Sequence, residues 1–473
     1  MKSWPDNPFL QGYYEPITFE ANAPDLVIEG EIPKGLNGTF YRNGPNPQFP
    51  PKNEYHFFTG DGMVHAFTFD NGKVSHMNRW AKTRRFEIEK RLQGSYFSGV
   101  NPLETDPKLL DFVLNDKQGV ANTNVIWHGG RLLLLTEGFM PFEMHPKTLD
   151  SIGTWDFYGK LRTSMTAHSH RDPATDELLF YSYWTDGPFS EGMELHKVSK
   201  DGFITQSHAF KAPYSAMIHD FVVTENYIIF PVMPLTGSMD RAMTGKPPLA
   251  WEPELGTRIG IMPRNGTPQD MVWIEAAPCY VFHFMNGRDK NGFITMEACE
   301  FTYAPLFPTV DGNMLPGIHP HISRWVIDMN GSSPSFHKKA IGDRGAEFPV
   351  IDPRFAMRDY THGWYTSTDK TVPAPIPDSD FIYNVIDHID VKTGKVDSYS
   401  FGNCYVTEPM YVPKSAGAAE GDGYVLDLIY NRDTNISDMC VFDALNISAG
   451  PIGRAKVSHR VPVSFHGAWV NAV

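Results

Sequence analysis

Short runs rich in β-branched and aromatic residues recur along the chain, and each is closed by a turn bearing Gly or Asn. The run 65–69 is followed by Asp70-Asn71-Gly72-Lys73, and 124–127 by His128-Gly129-Gly130-Arg131. The runs 194–198 and 383–391 end in Lys200-Asp201-Gly202 and Thr393-Gly394-Lys395. Such turn residues supply the positive φ that tight hairpins need. The units continue from about residue 35 to the C-terminus without a linker, so residues 1–473 read as one all-β domain with an N-terminal arm over 1–34. Repeated antiparallel sheets on this scale predict a β-propeller. Exact repeats are absent, so the number of blades does not follow from the pattern. Segment 231–250, opening PVMPLTGSMDRAMTGKPP, breaks the strand rhythm and is expected to form a loop or short helix at the entrance for an apolar substrate.

Composition narrows the reading. Hydrophobic residues make up 41% and aromatics 13% of 473 residues, enough for a large core. Forty glycines and 38 prolines suit short strands joined by turns better than long helices. A net charge of −14 without a basic run excludes a nucleic-acid partner. Cys279, Cys299, Cys404 and Cys440 have no C-x-x-C spacing and are expected to be free thiols in a reducing compartment. Neither a signal-length apolar stretch nor 18 consecutive apolar residues occurs, so a cytoplasmic location is expected, with peripheral membrane contact left open. No obligate protein partner is evident.

Of the 18 histidines, His56, His76, His145, His196, His208, His337 and His459 lie beside turns or charges and require no special role. His168, His219, His283 and His466 instead sit in apolar, strand-like contexts such as Tyr280-Val281-Phe282-His283-Phe284. A buried imidazole needs a metal or a hydrogen-bond partner. Separations of 51, 64 and 183 residues exclude a zinc finger or an HExxH helix. Such distant ligands meet when successive sheets each deliver one side chain to a common axis. Iron, zinc, copper and nickel all accept imidazole, so the residues alone leave the metal open.

Around these histidines the chain resembles the carotenoid cleavage oxygenase family over nearly its whole length. The resemblance is carried by Gly38-Thr39-Phe40-Tyr41-Arg42-Asn43-Gly44-Pro45-Asn46-Pro47, by Gly60-Asp61-Gly62-Met63-Val64-His65, by Asn122-Thr123-Asn124 and by Phe465-His466-Gly467-Ala468-Trp469. It implies a seven-bladed β-propeller capped by loops and short helices, with Fe(II) on its axis held by His168, His219, His283 and His466. It further implies that Glu137, Glu347 and Glu408 back His219, His283 and His466, leaving His168 unbacked. A carboxylate on the distal N–H of a ligand ring would set its tautomer and basicity. Thr123 is similar to the residue that narrows one open position for O2. The implied reaction is insertion of both oxygen atoms across an alkene, giving two carbonyl products. Where the family has Pro-Lys after the first ligand, this chain has Ser169-His170, which makes His170 the competing ligand. A non-catalytic propeller, a zinc hydrolase and an isomerase are the other classes considered.

Two branches of the family differ in substrate. Parts of the chain, such as Glu29-Gly30-Glu31-Ile32-Pro33 and Trp251-Glu252-Pro253-Glu254, resemble the branch that cleaves stilbenes and phenylpropenes. That branch binds the substrate phenol with a tyrosine and a lysine. Here the matching positions are Gly99 and Thr136, with Tyr96 three residues upstream of the first. The expected substrate is therefore a carotenoid or apocarotenoid, with a stilbene or phenylpropene as the alternative. Phe57, Phe58, Phe284, Phe301 and Tyr303 are the aromatic residues expected along its path.

Overall fold

Strand Ile204–Lys211 alternates between exposed and half-buried residues, whereas Leu178–Tyr183 of the same sheet is buried throughout. The contrast separates an outer strand, with one face in water, from an inner strand packed on both faces. Stacked around an axis, such sheets form the seven-bladed β-propeller seen in the computed structural model, which describes residues 4–52, 55–97, 103, 105–318, 320–372 and 383–472. The core lies between blades; Trp364, fully buried, stacks at 4.6 Å on Tyr411 of the next blade.

The ring closes by joining the two ends of the chain. Gly467–Asn471 is the innermost strand of a sheet continued by Gly38–Pro45, Gly62–Asp70 and Lys73–Trp80, with Arg42 opposite Gly467 and Gly38 opposite Asn471. Residues of the N-terminal arm cover sheet edges. Asn22–Ala23 pairs with Lys73–Trp80, and Val27–Gly30 with Gly453–Lys456 of the neighbouring blade. Covered edges do not recruit other chains.

Antiparallel pairing gives the propeller two unlike faces. The tight turns read from the sequence join strands at one face; Asn71 and Gly72 there both have positive φ. The longer connections gather at the other face, where the innermost strands begin, and form a cap. Helix Arg84–Leu92 lies in this cap, its first turn held by Thr83 accepting from the Phe86 N–H. Residues 231–232 complete the blade strand Tyr227–Val232 rather than interrupting it, and the rest of segment 231–250 folds as a flap: Leu235–Gly237 pairs with Leu249–Trp251, and helix Met239–Met243 lies between them. Arg241 staples it to Glu252, Thr236 and the Pro247 carbonyl. The Met217 N–H donates to the Leu235 carbonyl, so the flap is tied two residues from His219. Among the described residues all four cysteines are free, and no helix is long and apolar enough to cross a membrane.

Candidate metal centre

Each blade places one of the expected residues near the start of its innermost strand. Thr123 immediately precedes strand Asn124–His128, and His168 lies two residues before His170–Arg171. His219 precedes Val222–Val223, His283 lies in Tyr280–Lys290, and Glu347 opens Glu347–Ile351. Glu408 and His466 precede Met410–Pro413 and Gly467–Asn471. The 183-residue gap between His283 and His466 is thus two blades that carry glutamate instead of histidine.

The four histidines converge, with one ring nitrogen of each within 4.8 Å of the others. Nε2 of His219 lies 3.0 Å from Nε2 of His168 and 3.3 Å from Nε2 of His283. The Nδ1 atoms face outward to carboxylates: His283 to Glu347 at 2.5 Å, His466 to Glu408 at 2.8 Å. His219 Nδ1 and Glu137 Oε1 also approach to 2.8 Å, although out of line for a full hydrogen bond. Among the described residues, no carboxylate faces His168. A carboxylate partner selects the tautomer with hydrogen on Nδ1. That leaves Nε2 lone pairs of His219 and His283 facing one another, an arrangement a shared cation relieves. This donor set fits a divalent transition metal.

The electrostatics differ from ring to ring. Burial and the neighbouring imidazoles hold His168 well below its ordinary pKa, so it is a neutral donor. Burial pulls His283 down as well, but the Glu347 carboxylate outweighs it and raises the net value. His466 stays lowered, with burial exceeding the pull of Glu408. For Glu408 itself, burial is outweighed by His466, Arg42 and the Gly467 N–H, and its pKa falls below the ordinary value.

Three supports of the carboxylates were not foreseen from the sequence. Arg42, fully buried, donates from Nη1 to Glu408 Oε2 at 3.1 Å. The Tyr183 hydroxyl donates to Glu137 Oε2 at 2.7 Å; burial, with Glu137 beside it, keeps that phenol protonated. Glu347 Oε2 accepts from the Phe348 N–H. Phe348 itself has φ 51° at a bulge and precedes Pro349, a costly conformation for a non-glycine residue. Its ring packs at 5.3 Å on His283 and 5.4 Å on His466, and Phe282 packs at 5.1 Å on His219. Both phenylalanines neighbour a ligand or a backing glutamate in sequence, which was the available signal.

The remaining expected residues are distributed unevenly. His170 turns away, its Nε2 at 2.8 Å from the Phe221 carbonyl and 3.3 Å from Asp220. The strand begins only at His170, so the two-residue alternation does not reach back to His168. The Thr123 carbonyl accepts from the His466 N–H at 3.3 Å, and its hydroxyl donates to Asn122. Phe57 and Phe58 pack on Phe465, next to His466. Phe284 borders a cavity of about 330 Å³ shared with Ser169, Val223, Met410 and Gly467, each close in sequence to a centre residue. Phe301 lies behind Phe282, fully buried, and the Tyr303 hydroxyl donates to Pro316. Thr136 is buried, its hydroxyl accepting from the Asn122 N–H at 2.8 Å. Lys52 sits 3.5 Å over the ring of Tyr96. Gly99 lies outside the described residues. His76 and His196, which lie beside turns or charges in the sequence, are nevertheless buried, where they meet His65 and Ser207.

Comparison with known proteins places this geometry in context. The family profile described as retinal pigment epithelial membrane protein matches residues 14–471. Isoeugenol monooxygenase of Pseudomonas nitroreducens is 37% identical over 98% of both chains. Lignostilbene-alpha,beta-dioxygenase isozyme III of Sphingomonas paucimobilis is 35% identical, covering 100% of this chain and 99% of its own. The crystal structure of Pseudomonas brassicacearum lignostilbene dioxygenase superposes with a TM-score of 0.94, at 34% identity and full coverage of both chains.

Proposed function

The chain belongs to the retinal pigment epithelial membrane protein family, the carotenoid cleavage oxygenases, and is an alkene-cleaving oxygenase; on that premise we propose that it cleaves an aryl-conjugated alkene with O2 at a four-histidine iron(II) centre. The observation that carries the reading is the cluster of four imidazoles on the propeller axis, three of them faced by carboxylates. His168, His219, His283 and His466 would hold the metal, and bound iron(II) would supply O2 activation. The residues of the chain do the rest. Glu137, Glu347 and Glu408 keep three imidazoles in the donor tautomer. Phe282 and Phe348 wall the site with apolar surface, and Thr123 stands beside His466, where it would narrow the space left for O2. Positioning the double bond and excluding water are the protein's share of the chemistry.

Both named relatives and the structural neighbour take their names from phenylpropene or stilbene substrates, which favours that branch here. Thr136 argues for a qualification. Its hydroxyl is committed to Asn122, and it brings no positive charge to hold a phenolate as the lysine of that branch does. The preferred substrate is accordingly an aryl alkene without an obligatory free phenol; a polyene is the second reading, favoured by the same residue. Four free thiols suit the cytoplasm. The test supplies iron(II)-loaded and zinc(II)-loaded enzyme with a methoxystilbene, resveratrol, isoeugenol and a β-apocarotenal. Cleavage of the methoxystilbene by the iron form alone supports the proposal. Turnover of the apocarotenal only, or equal activity with zinc, contradicts it.

A further inference from the structure

A buried guanidinium is stable only if its donors are satisfied. Those of Arg42 are, and all its acceptors lie in two segments of the centre. Nε and Nη2 donate to Ser464 Oγ at 3.1 and 3.0 Å, and Nη2 also to the Phe465 carbonyl at 3.0 Å. Nη1 donates to the Glu408 carbonyl at 3.2 Å and to Glu408 Oε2 at 3.1 Å. Ser464 and Phe465 lead directly into His466, while Glu408 Oε1 meets His466 Nδ1 and Oε2 also accepts from the Gly467 N–H. Arg42 itself stands on Gly38–Pro45, the strand on which the last strand of the chain docks.

The three carboxylates therefore differ in kind. Glu137 is held by a phenol and Glu347 by the adjacent backbone N–H, both within neighbouring parts of the ring. Glu408 is held by a cation contributed across the closing seam. We infer that Arg42 is a positioning residue that couples ring closure to metal binding: it orients Glu408, and through it His466, only once the last strand has docked. The inference rests on the metal site proposed above. It requires that metal binding in turn tighten the seam, since coupling between two equilibria is reciprocal.

The test measures Co(II) affinity by chelator competition in the full chain, together with hydrogen exchange of residues 464–471. Wild type is compared with Arg42→Met, Arg42→Lys, Ser464→Ala, His466→Ala and the double variant Arg42→Met/His466→Ala. Arg42→Met is expected to bind Co(II) about 10- to 100-fold more weakly, the range typical for lost partners of metal ligands. Arg42→Lys, which keeps the charge but not the fork, should fall between it and wild type. In the His466→Ala background the same change should cost no further affinity, a result that general misfolding does not produce. Cobalt should slow exchange at 464–471 in wild type and less so in Arg42→Met. If Arg42→Met does not fold, Ser464→Ala, which removes one shared acceptor, should show a smaller loss of the same kind. Wild-type affinity in Arg42→Met, or an equal loss with His466 absent, overturns the inference. Failure of wild type to bind Co(II) instead overturns the metal site, and the coupling with it.

Discussion

At the scale of single residues, each carboxylate around the cluster is held by a different chemistry. Glu347 makes the shortest contact with its imidazole, 2.5 Å to His283. Glu347→Gln removes the charge while keeping the shape, and metal affinity should fall about 10- to 100-fold in chelator competition. Asp427 gives a separate, pH-dependent prediction. It is fully buried, Oδ1 accepts from the Thr407 hydroxyl and N–H, and Oδ2 has no hydrogen-bond partner among the described residues. Burial pushes its pKa up to about 7 from 3.8. A raised carboxyl favours the folded state below pH 3.8, and that advantage is lost as pH rises to about 7. Asp427→Asn does not titrate, so its stability relative to wild type should climb over that window and level off above it. The climb is at most about 4 kcal/mol from the shift, read by urea unfolding at pH 4, 5.5, 7 and 8. A flat difference would show that Asp427 is ionised throughout. The histidines were legible because apolar neighbours make a polar residue conspicuous, and the glutamates only through the family resemblance. Arg42 and Tyr183 were not, since an arginine or tyrosine in a strand ordinarily keeps its polar end in water, and only the seam and the blade contact show otherwise.

At the scale of elements, local signals were strongest farthest from the chemistry. The turns at Asn71-Gly72 and Gly129-Gly130 announce themselves by positive φ, and they lie on the face away from the cluster. The connections that build the cap also hold positive-φ residues, among them Gln93, Phe157, Tyr158 and Gly245, but not in two-residue hairpin turns. Segment 231–250 was recognisable only as an interruption; its hairpin and helix depend on the Arg241 staples, which are tertiary contacts. The closing seam is equally silent in the sequence but tightly packed. A Cβ added to Gly44 would overlap the Val463 carbonyl and the Ser464 Cα. Gly44→Ala should therefore destabilise the fold by about 1–3 kcal/mol, as overpacked positions do, seen as a lower urea midpoint. Because Ser464 leads into His466, the same variant should retain less metal after dialysis.

For the whole molecule, the propeller's contribution is to bring residues 123 through 466 to one axis, one from each blade. The class of fold was legible from recurring hairpins, whereas the number of blades followed only from the family resemblance, because the repeats share geometry rather than residues. The long interval between His283 and His466 had no meaning until Glu347 and Glu408 were seen at the equivalent positions of the two intervening blades. A centre drawing on every blade should also stabilise the ring. Removing metal with a chelator should lower the melting temperature, and restoring it at about 100 times Kd should return about 2.7 kcal/mol. No change in melting temperature on reloading would separate the cluster from the stability of the fold.

The most direct test of the central claim is the mass of both carbonyl products formed from an aryl alkene under 18O2, trapped by immediate borohydride reduction to prevent exchange with water. Dioxygen insertion across the double bond predicts one 18O atom in each product from the iron(II)-loaded enzyme. One product bearing oxygen from water, or an alkene left intact without O2 consumption, would contradict it.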